Sequence, residues 1–121
     1  MFNDIIAANF ANPTFAAELG DANLELELGN PVCGDRIKVQ VKLVDDRIQT
    51  IRYQAWGCAT SLATGNIFCA YANDQPLARV LSTPPDVIEQ MLGEIDPSQR
   101  HCMDMLKELF AQMKNSTTRT D

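Results

Sequence analysis

Ala22-Asn23-Leu24-Glu25-Leu26-Glu27-Leu28-Gly29-Asn30-Pro31 sets Leu24, Leu26 and Leu28 against Asn23, Glu25 and Glu27 in strict alternation. A period of two puts the leucines on one face of an extended chain, so the segment predicts a half-buried strand that Gly29-Asn30-Pro31 ends. Ile37, Val39, Val41 and Leu43 alternate with Arg36, Lys38, Gln40 and Lys42 and predict a second strand. Asp45-Asp46 makes the turn, and Ile51, Tyr53 and Ala55 continue as a third. Three neighbouring amphipathic strands with short connections argue for an antiparallel meander with one wet and one covered face.

After Gly57 the pattern becomes helical. Ala59, Leu62, Ala63 and Ala70 form an apolar stripe up to about Asn73, and Pro76 to Leu81 adds a short helical turn. A further helix is expected from Thr83 or Pro84 through Asp86 to Leu92, closed by Gly93. The last helix should begin near Ser98 and bury Leu106, Leu109, Phe110 and Met113. At the other end, Ile5, Ile6, Phe10 and Phe15 have loosely helical spacing interrupted by Pro13. Strands first and helices afterwards predict an α+β fold, a three-stranded antiparallel sheet with helices packed on one face. The 121 residues are expected to form one domain, with residues 1–20 as a mobile N-terminal arm and 115–121 as a polar, frayed tail.

A hydrophobic fraction of 45% is that of an ordinary globular chain, and a formal charge of −6 gives no footprint for nucleic acid. No apolar run approaches a membrane span, and the first residues lack the basic and apolar segments of a secretory signal. A cytoplasmic setting follows as the expectation. There, four cysteines read as free thiols or metal ligands in preference to disulfides.

Three of these cysteines fall at predicted element boundaries. Cys33 lies in Pro31-Val32-Cys33-Gly34-Asp35 between two strands, Cys58 in Trp56-Gly57-Cys58-Ala59 at a strand-to-helix junction, and Cys102 follows the only histidine, His101. Taken singly, Cys33-Gly34-Asp35 also reads as a turn in which Asp35 caps an amide, and Cys58 as a small buried hydrophobe. At a helix start, Cys58 and Cys102 meet the positive end of the helix dipole, which favours the thiolate. Cys69 sits among Ile67, Phe68 and Ala70; in an unbroken helix it is roughly 16 Å along the axis from Cys58 and is expected in the core. Thiolates, imidazole and carboxylate bind iron and zinc, so Cys33, Asp35, Cys58, His101 and Cys102 make a mixed ligand set. Separations of 25 residues between Cys33 and Cys58 and 44 between Cys58 and Cys102 leave its assembly to the fold. A cysteine hydrolase is the competing enzyme reading. It is disfavoured because adjacent His101 and Cys102 should point apart on one helix.

The ordered trio Cys33-Gly34-Asp35, Gly57-Cys58-Ala59 and His101-Cys102 resembles the iron–sulfur cluster assembly scaffolds of the IscU and NifU N-terminal type. Phe10-Ala11-Asn12-Pro13 matches that family's aromatic-x-Asn-Pro, and Ser61, Ala63 and Thr64 fit the small residues after its second cysteine. The resemblance implies an IscU/SufE-like fold and a non-enzymatic scaffold. Such a scaffold accepts sulfur from a cysteine desulfurase, assembles a transient 2Fe-2S cluster, and passes it to apo iron–sulfur proteins. It implies cluster ligation by Cys33, Cys58 and Cys102, lability through Asp35, and a further ligand in His101. Two departures stand out. The family often carries Leu-Pro-Pro-Val-Lys, a docking segment for an Hsp70-type chaperone, where this chain has Ile95-Asp96-Pro97-Ser98-Gln99, so that docking is not expected. The chain also lacks the insertion of the zinc-binding SufU branch and keeps the histidine, although Asn30-Pro31 is similar to SufU. A SufU-like sulfur acceptor or desulfurase regulator holding zinc in its apo form is the alternative.

Overall fold

The computed structural model describes residues 3–30 and 34–117. Strands β1 (Leu24–Asn30), β2 (Asp35–Val44) and β3 (Arg47–Trp56) form the expected antiparallel meander, in register Leu26 to Val39 to Tyr53 and Leu24 to Val41 to Ile51. The alternation read from the sequence is the alternation of burial: Leu26, Ile37, Val39, Val41, Ile51 and Tyr53 enter the core. Asp45 and Asp46 both take positive φ, 52° and 62°, the backbone that a two-residue hairpin needs to match strand twist.

The sheet has four strands, one more than expected. Gln75–Pro76 forms β4, pairing with Arg47 and Ile48 of β3, and Arg47 binds Asp74 through its guanidinium at 3.1 Å. Two residues carry no period, and one of them is proline, so nothing in the local pattern announces this strand.

Helix α1 (Asp4–Ala11) precedes the sheet, and α2 (Ala59–Ala72) follows β3. Next come α3 (Leu77–Leu81), α4 (Pro85–Gln90), a 3₁₀ turn over Pro97–Gln99, and α5 (Arg100–Thr117). The expected buried side of α5 holds, with Leu106, Leu109, Phe110 and Met113 inside. Its helix runs on to Thr117, past the Asn115 at which a frayed tail was expected; residues 118–121 of that tail lie outside the described residues. In the first 20 residues, expected as an arm, Asn3 caps α1 at Ile6 N–H and donates to the carbonyls of Leu92 and Glu94, while Ile6 is buried. Asn12 ends α1 before Pro13, and Phe15 and Ala17 then exchange backbone hydrogen bonds with Tyr53 at 3.1 Å.

Helix α2 departs most from its expected pattern. The sequence predicts a single apolar stripe through Ala59, Leu62, Ala63 and Ala70, yet Thr60, Ser61 and Ala63 through Cys69 are buried all round while Leu62 is half-buried and Ala70 faces solvent. It is the central helix, touching α1, the sheet and α5 at once. Its polar residues are satisfied inside: Thr64 donates to the Thr60 carbonyl at 2.7 Å, and Asn66 binds Asn9 and the Phe15 N–H. Phe68 meets Phe110 edge to face at 5.0 Å, locking α2 to α5. Among the described residues, no helix is long and apolar enough to cross a membrane.

Gly65 allows α2 to lie directly on β3, because a Cβ there would overlap the Tyr53 ring. Gly65→Ala should therefore lower the unfolding free energy by about 1–3 kcal/mol in denaturant titration, the usual cost of overpacking. Gly20→Ala, with nothing within 4 Å of the added methyl, is the control expected to leave the midpoint near that of the parent.

Candidate metal centre

The packing of α2 and α5 against the sheet and each other brings the start of β2, the start of α2 and the first turn of α5 together. Asp35 opens β2, Cys58 caps α2, and His101 and Cys102 stand in the first turn of α5. One donor atom from each of Asp35, Cys58, His101 and Cys102 lies within 4.8 Å of the others. Cys33, the fifth residue of the predicted set, lies outside the described residues.

Asp35 organises the cluster. Its Oδ1 accepts from the Cys58 backbone N–H at 3.1 Å, and its Oδ2 meets His101 Nε2 at 2.6 Å. Gly57 makes this approach sterically available. Its φ is +129°, and a Cβ at this position would overlap the Asp35 carboxylate, so both backbone and space call for glycine. Outside the site, Arg36 pairs with Glu27 at 2.8 Å and covers the Trp56 ring at 5.0 Å, bracing the strand ends that carry Asp35 and Gly57.

The sulfurs gather around Ser61. Its Oγ lies 3.4 Å from both Cys58 Sγ and Cys102 Sγ, which are 4.0 Å apart. His101 Nε2 is 4.0 Å from Cys58 Sγ and 3.5 Å from Cys102 Sγ. The expectation that His101 and Cys102 point apart is thus overturned: the imidazole folds over the helix start toward Asp35 and brings Nε2 beside the thiol. Ser61 as a bridge was missed by sequence reasoning, which placed it only in a run of small residues. Its one signal is the three-residue step from Cys58, which returns a helix to the same face.

The expectation that both helix-start thiols are thiolate-rich holds for one. Burial raises the Cys58 pKa, but hydrogen bonds from Ser61 side chain and backbone and from His101 outweigh it and leave the thiol more acidic than usual. Cys102 is pushed up to about 12, first by burial and then by the neighbouring Cys58 and Asp35 charges, against the Ser61 hydrogen bond. It is fully buried, whereas Cys58 is partly exposed. Helix-dipole stabilisation does not offset that desolvation. Cys69 is the predicted core residue, fully buried in α2, and desolvation raises its pKa strongly.

The residues fit a metal by their chemistry: two thiols, an imidazole and a carboxylate suit iron or zinc. The separations of 3.5–4.0 Å among the sulfurs and His101 are close to the edges of a tetrahedron around one ion, about 3.3–3.8 Å for ordinary Zn–S and Zn–N lengths.

Residues 1–119 match the family model of the NifU-like N terminal domain. The chain belongs to that family. It is 30% identical to the iron-sulfur cluster assembly scaffold protein IscU 1 of Archaeoglobus fulgidus over 87% of this chain and 69% of that one. It is 29% identical to the IscU of Aquifex aeolicus over 94% and 74%, and 24% identical to the zinc-dependent sulfurtransferase SufU of Bacillus subtilis over 78% and 63%. Its fold is shared with a NifU-like N-terminal protein of Brucella abortus, at a TM-score of 0.62 and 16% identity over 94% of this chain and 81% of that one. The IscU and NifU resemblance read from the three cysteine motifs is therefore correct.

Burial lowers the His101 pKa, but hydrogen bonds to Cys58 and Asp35 and their charges outweigh it and raise it above its ordinary 6.5. Burial likewise raises that of Asp35, and the hydrogen bonds from Cys58 N–H, Ser61 and His101, with the imidazolium charge, bring it below 3.8. A raised histidine stabilises the fold fully below 6.5 and loses that contribution as pH rises through the folded value; the lowered carboxylate contributes above 3.8 and loses it in acid. The pair therefore stabilises most between those limits. His101→Gln should lower the melting temperature of the metal-free protein more near pH 5.5 than at pH 8.5, as followed by circular dichroism. Equal losses at both values would remove the ion pair from the account.

Proposed function

We propose that this chain is a scaffold on which sulfur from a cysteine desulfurase and iron are joined into a transient 2Fe-2S cluster, then passed to apo iron–sulfur proteins. The observation that carries the reading is the convergence of Asp35, Cys58, His101 and Cys102 from three separate elements within 4.8 Å, in a member of this family. The cluster and its parts are cargo. Cys58, Cys102 and Cys33 supply the thiolates, while Asp35 and His101 supply harder donors that exchange more readily.

Sulfur enters at Cys58, the acidified and partly exposed thiol. Asp35 holds the Cys58 N–H and the imidazole in place before cargo arrives, and Ser61 keeps the two sulfurs oriented toward each other. Partners on this reading are a desulfurase as donor and apo-proteins as acceptors. The segment that would dock an Hsp70-type chaperone offers exposed Asp96 and Ser98, and no role for that chaperone is assigned.

A second reading is supported by the same compactness. Four donors around one point suit a single tetrahedral zinc ion, as expected of a SufU-like sulfur acceptor acting with a desulfurase. Protein purified without oxygen and reacted with a desulfurase, cysteine and iron decides between them. Visible absorbance with acid-labile sulfide supports the scaffold; a colourless protein retaining stoichiometric zinc supports the alternative.

Changing Cys33, Cys58 or Cys102 singly to Ser should abolish stable cluster loading, whereas Cys69→Ser should load while losing stability, because its hydroxyl would be buried in the core. A well-folded Cys69→Ser protein without iron would overturn the assignment. Asp35→Ala should lengthen cluster lifetime and slow delivery, since it removes the competing oxygen ligand. Decay of visible absorbance, with and without an apo-acceptor, measures both effects, and unchanged rates would leave Asp35 with a structural role alone.

A further inference from the structure

The two sulfurs at the site differ in access and yet face each other. Cys58 Sγ is partly exposed at the cap of α2, Cys102 is fully buried beneath it, and 4.0 Å separates them. That distance is about twice an S–S bond of 2.05 Å, so the outer sulfur of a persulfide on one thiol comes within bonding reach of the other. Ser61 Oγ stands 3.4 Å from each sulfur and is itself buried. A hydroxyl can donate to one neighbour while accepting from the other.

We propose that Cys58 and Cys102 form a sulfur relay, in which sulfane sulfur received at Cys58 is moved inward to Cys102 before iron is engaged. The step balances within the site. Cys102 Sγ attacks the outer sulfur of the Cys58 persulfide; the bond from that sulfur to Cys58 Sγ breaks as the bond to Cys102 Sγ forms. The proton of the Cys102 thiol passes to the departing Cys58 sulfur through Ser61, which accepts it and gives up its own. The outer sulfur keeps its oxidation state and its proton, so neither oxidant nor reductant is required. This is thiol–disulfide exchange with a persulfide in place of a disulfide. Its consequence is shelter: sulfur on Cys58 is open to external thiols, whereas sulfur on Cys102 is shielded by α2 and α5. Cys58 is also restored as a free thiol, ready for a second sulfur or for metal.

The relay rests on the scaffold reading only in taking sulfur to arrive as a persulfide, so inorganic polysulfide serves as the donor in its test. Full-length protein is reacted with polysulfide, quenched with an alkylating reagent at successive times, and mapped by peptide mass spectrometry over Cys33, Cys58, Cys69 and Cys102. The expected course is persulfide first on Cys58, then on Cys102 as the Cys58 signal falls. In Cys102→Ser the label should remain on Cys58, and in Cys58→Ser the Cys102 persulfide should be lost. Persulfide reaching Cys102 in Cys58→Ser at the parental rate would overturn the relay. So would a label that leaves Cys58 for Cys33, or that never forms on Cys58. Iron and acid-labile sulfide are measured in parallel with a desulfurase as donor. An intact relay without cluster formation would leave this inference standing and overturn the scaffold reading.

Discussion

The Asp35 carboxylate is the constraint on which the site end of this fold depends. A carboxylate that is 4% exposed is expensive to bury unless each oxygen finds a donor, and here the Cys58 N–H serves one oxygen and His101 the other. One comes from the cap of α2 and the other from the first turn of α5. Satisfying one side chain thus fixes the start of β2 against the cap of α2 and the first turn of α5. Gly57 is the counterpart of that choice: the strand-to-helix junction takes a left-handed backbone because a side chain there would occupy the carboxylate's place. Losing one partner would leave the others buried and unpaired, at a cost of about 1–3 kcal/mol each or more for the charged groups.

This explains which parts of the molecule can be read directly from the sequence. The sheet is legible because β1, β2 and β3 each have one wet face, so burial writes a period of two into Leu24–Leu28, Ile37–Val41 and Ile51–Ala55. Helix α5 is legible for the same reason at a period near 3.6, through Leu106, Leu109, Phe110 and Met113. Helix α2 is not, because it is covered on nearly all sides and its burial has no period. Thr60, Ser61, Thr64 and Asn66 look polar in the sequence and are inside: Thr64 donates to the Thr60 carbonyl one turn earlier, while Ser61 and Asn66 meet Cys102 and Asn9, partners that only the fold supplies. Strand β4 is invisible because its pairing is decided by the hairpin it returns to, not by its own two residues.

Four of the five predicted site residues are gathered by the fold, and their chemistry is not legible in the sequence. Boundary position singled out Asp35, Cys58, His101 and Cys102, because distant segments meet where elements start and stop. What it could not give is desolvation. The helix-start argument treats Cys58 and Cys102 alike, since both meet the positive end of a helix. Solvent distinguishes them: Cys58 sits at the rim, and Cys102 lies under the packed faces of α2 and α5, where the unfavourable burial of a thiolate exceeds the dipole's contribution. The dipole acts through the local chain, which the sequence contains. Burial is a property of the whole assembly.

The hydrogen bonds within the site bear on how tightly it would hold a metal. Its donors are already engaged with one another: His101 with Asp35 at 2.6 Å, Ser61 with both sulfurs, Cys58 N–H with the carboxylate. A metal or cluster taking Asp35 and His101 as ligands has to replace that hydrogen bond, because two donors of one ion sit farther apart than 2.6 Å. Loading therefore exchanges protein contacts for metal contacts, where a rigid site of separated ligands would gain the metal contacts outright. Hydrogen bonds to charged groups are worth about 1.5–3 kcal/mol, and recovering one on release lowers net affinity by roughly ten- to a hundredfold. The same buried carboxylate that assembles the site would thus weaken its hold on a bound metal or cluster. A scaffold is served by that compromise, and a permanent metal centre is not.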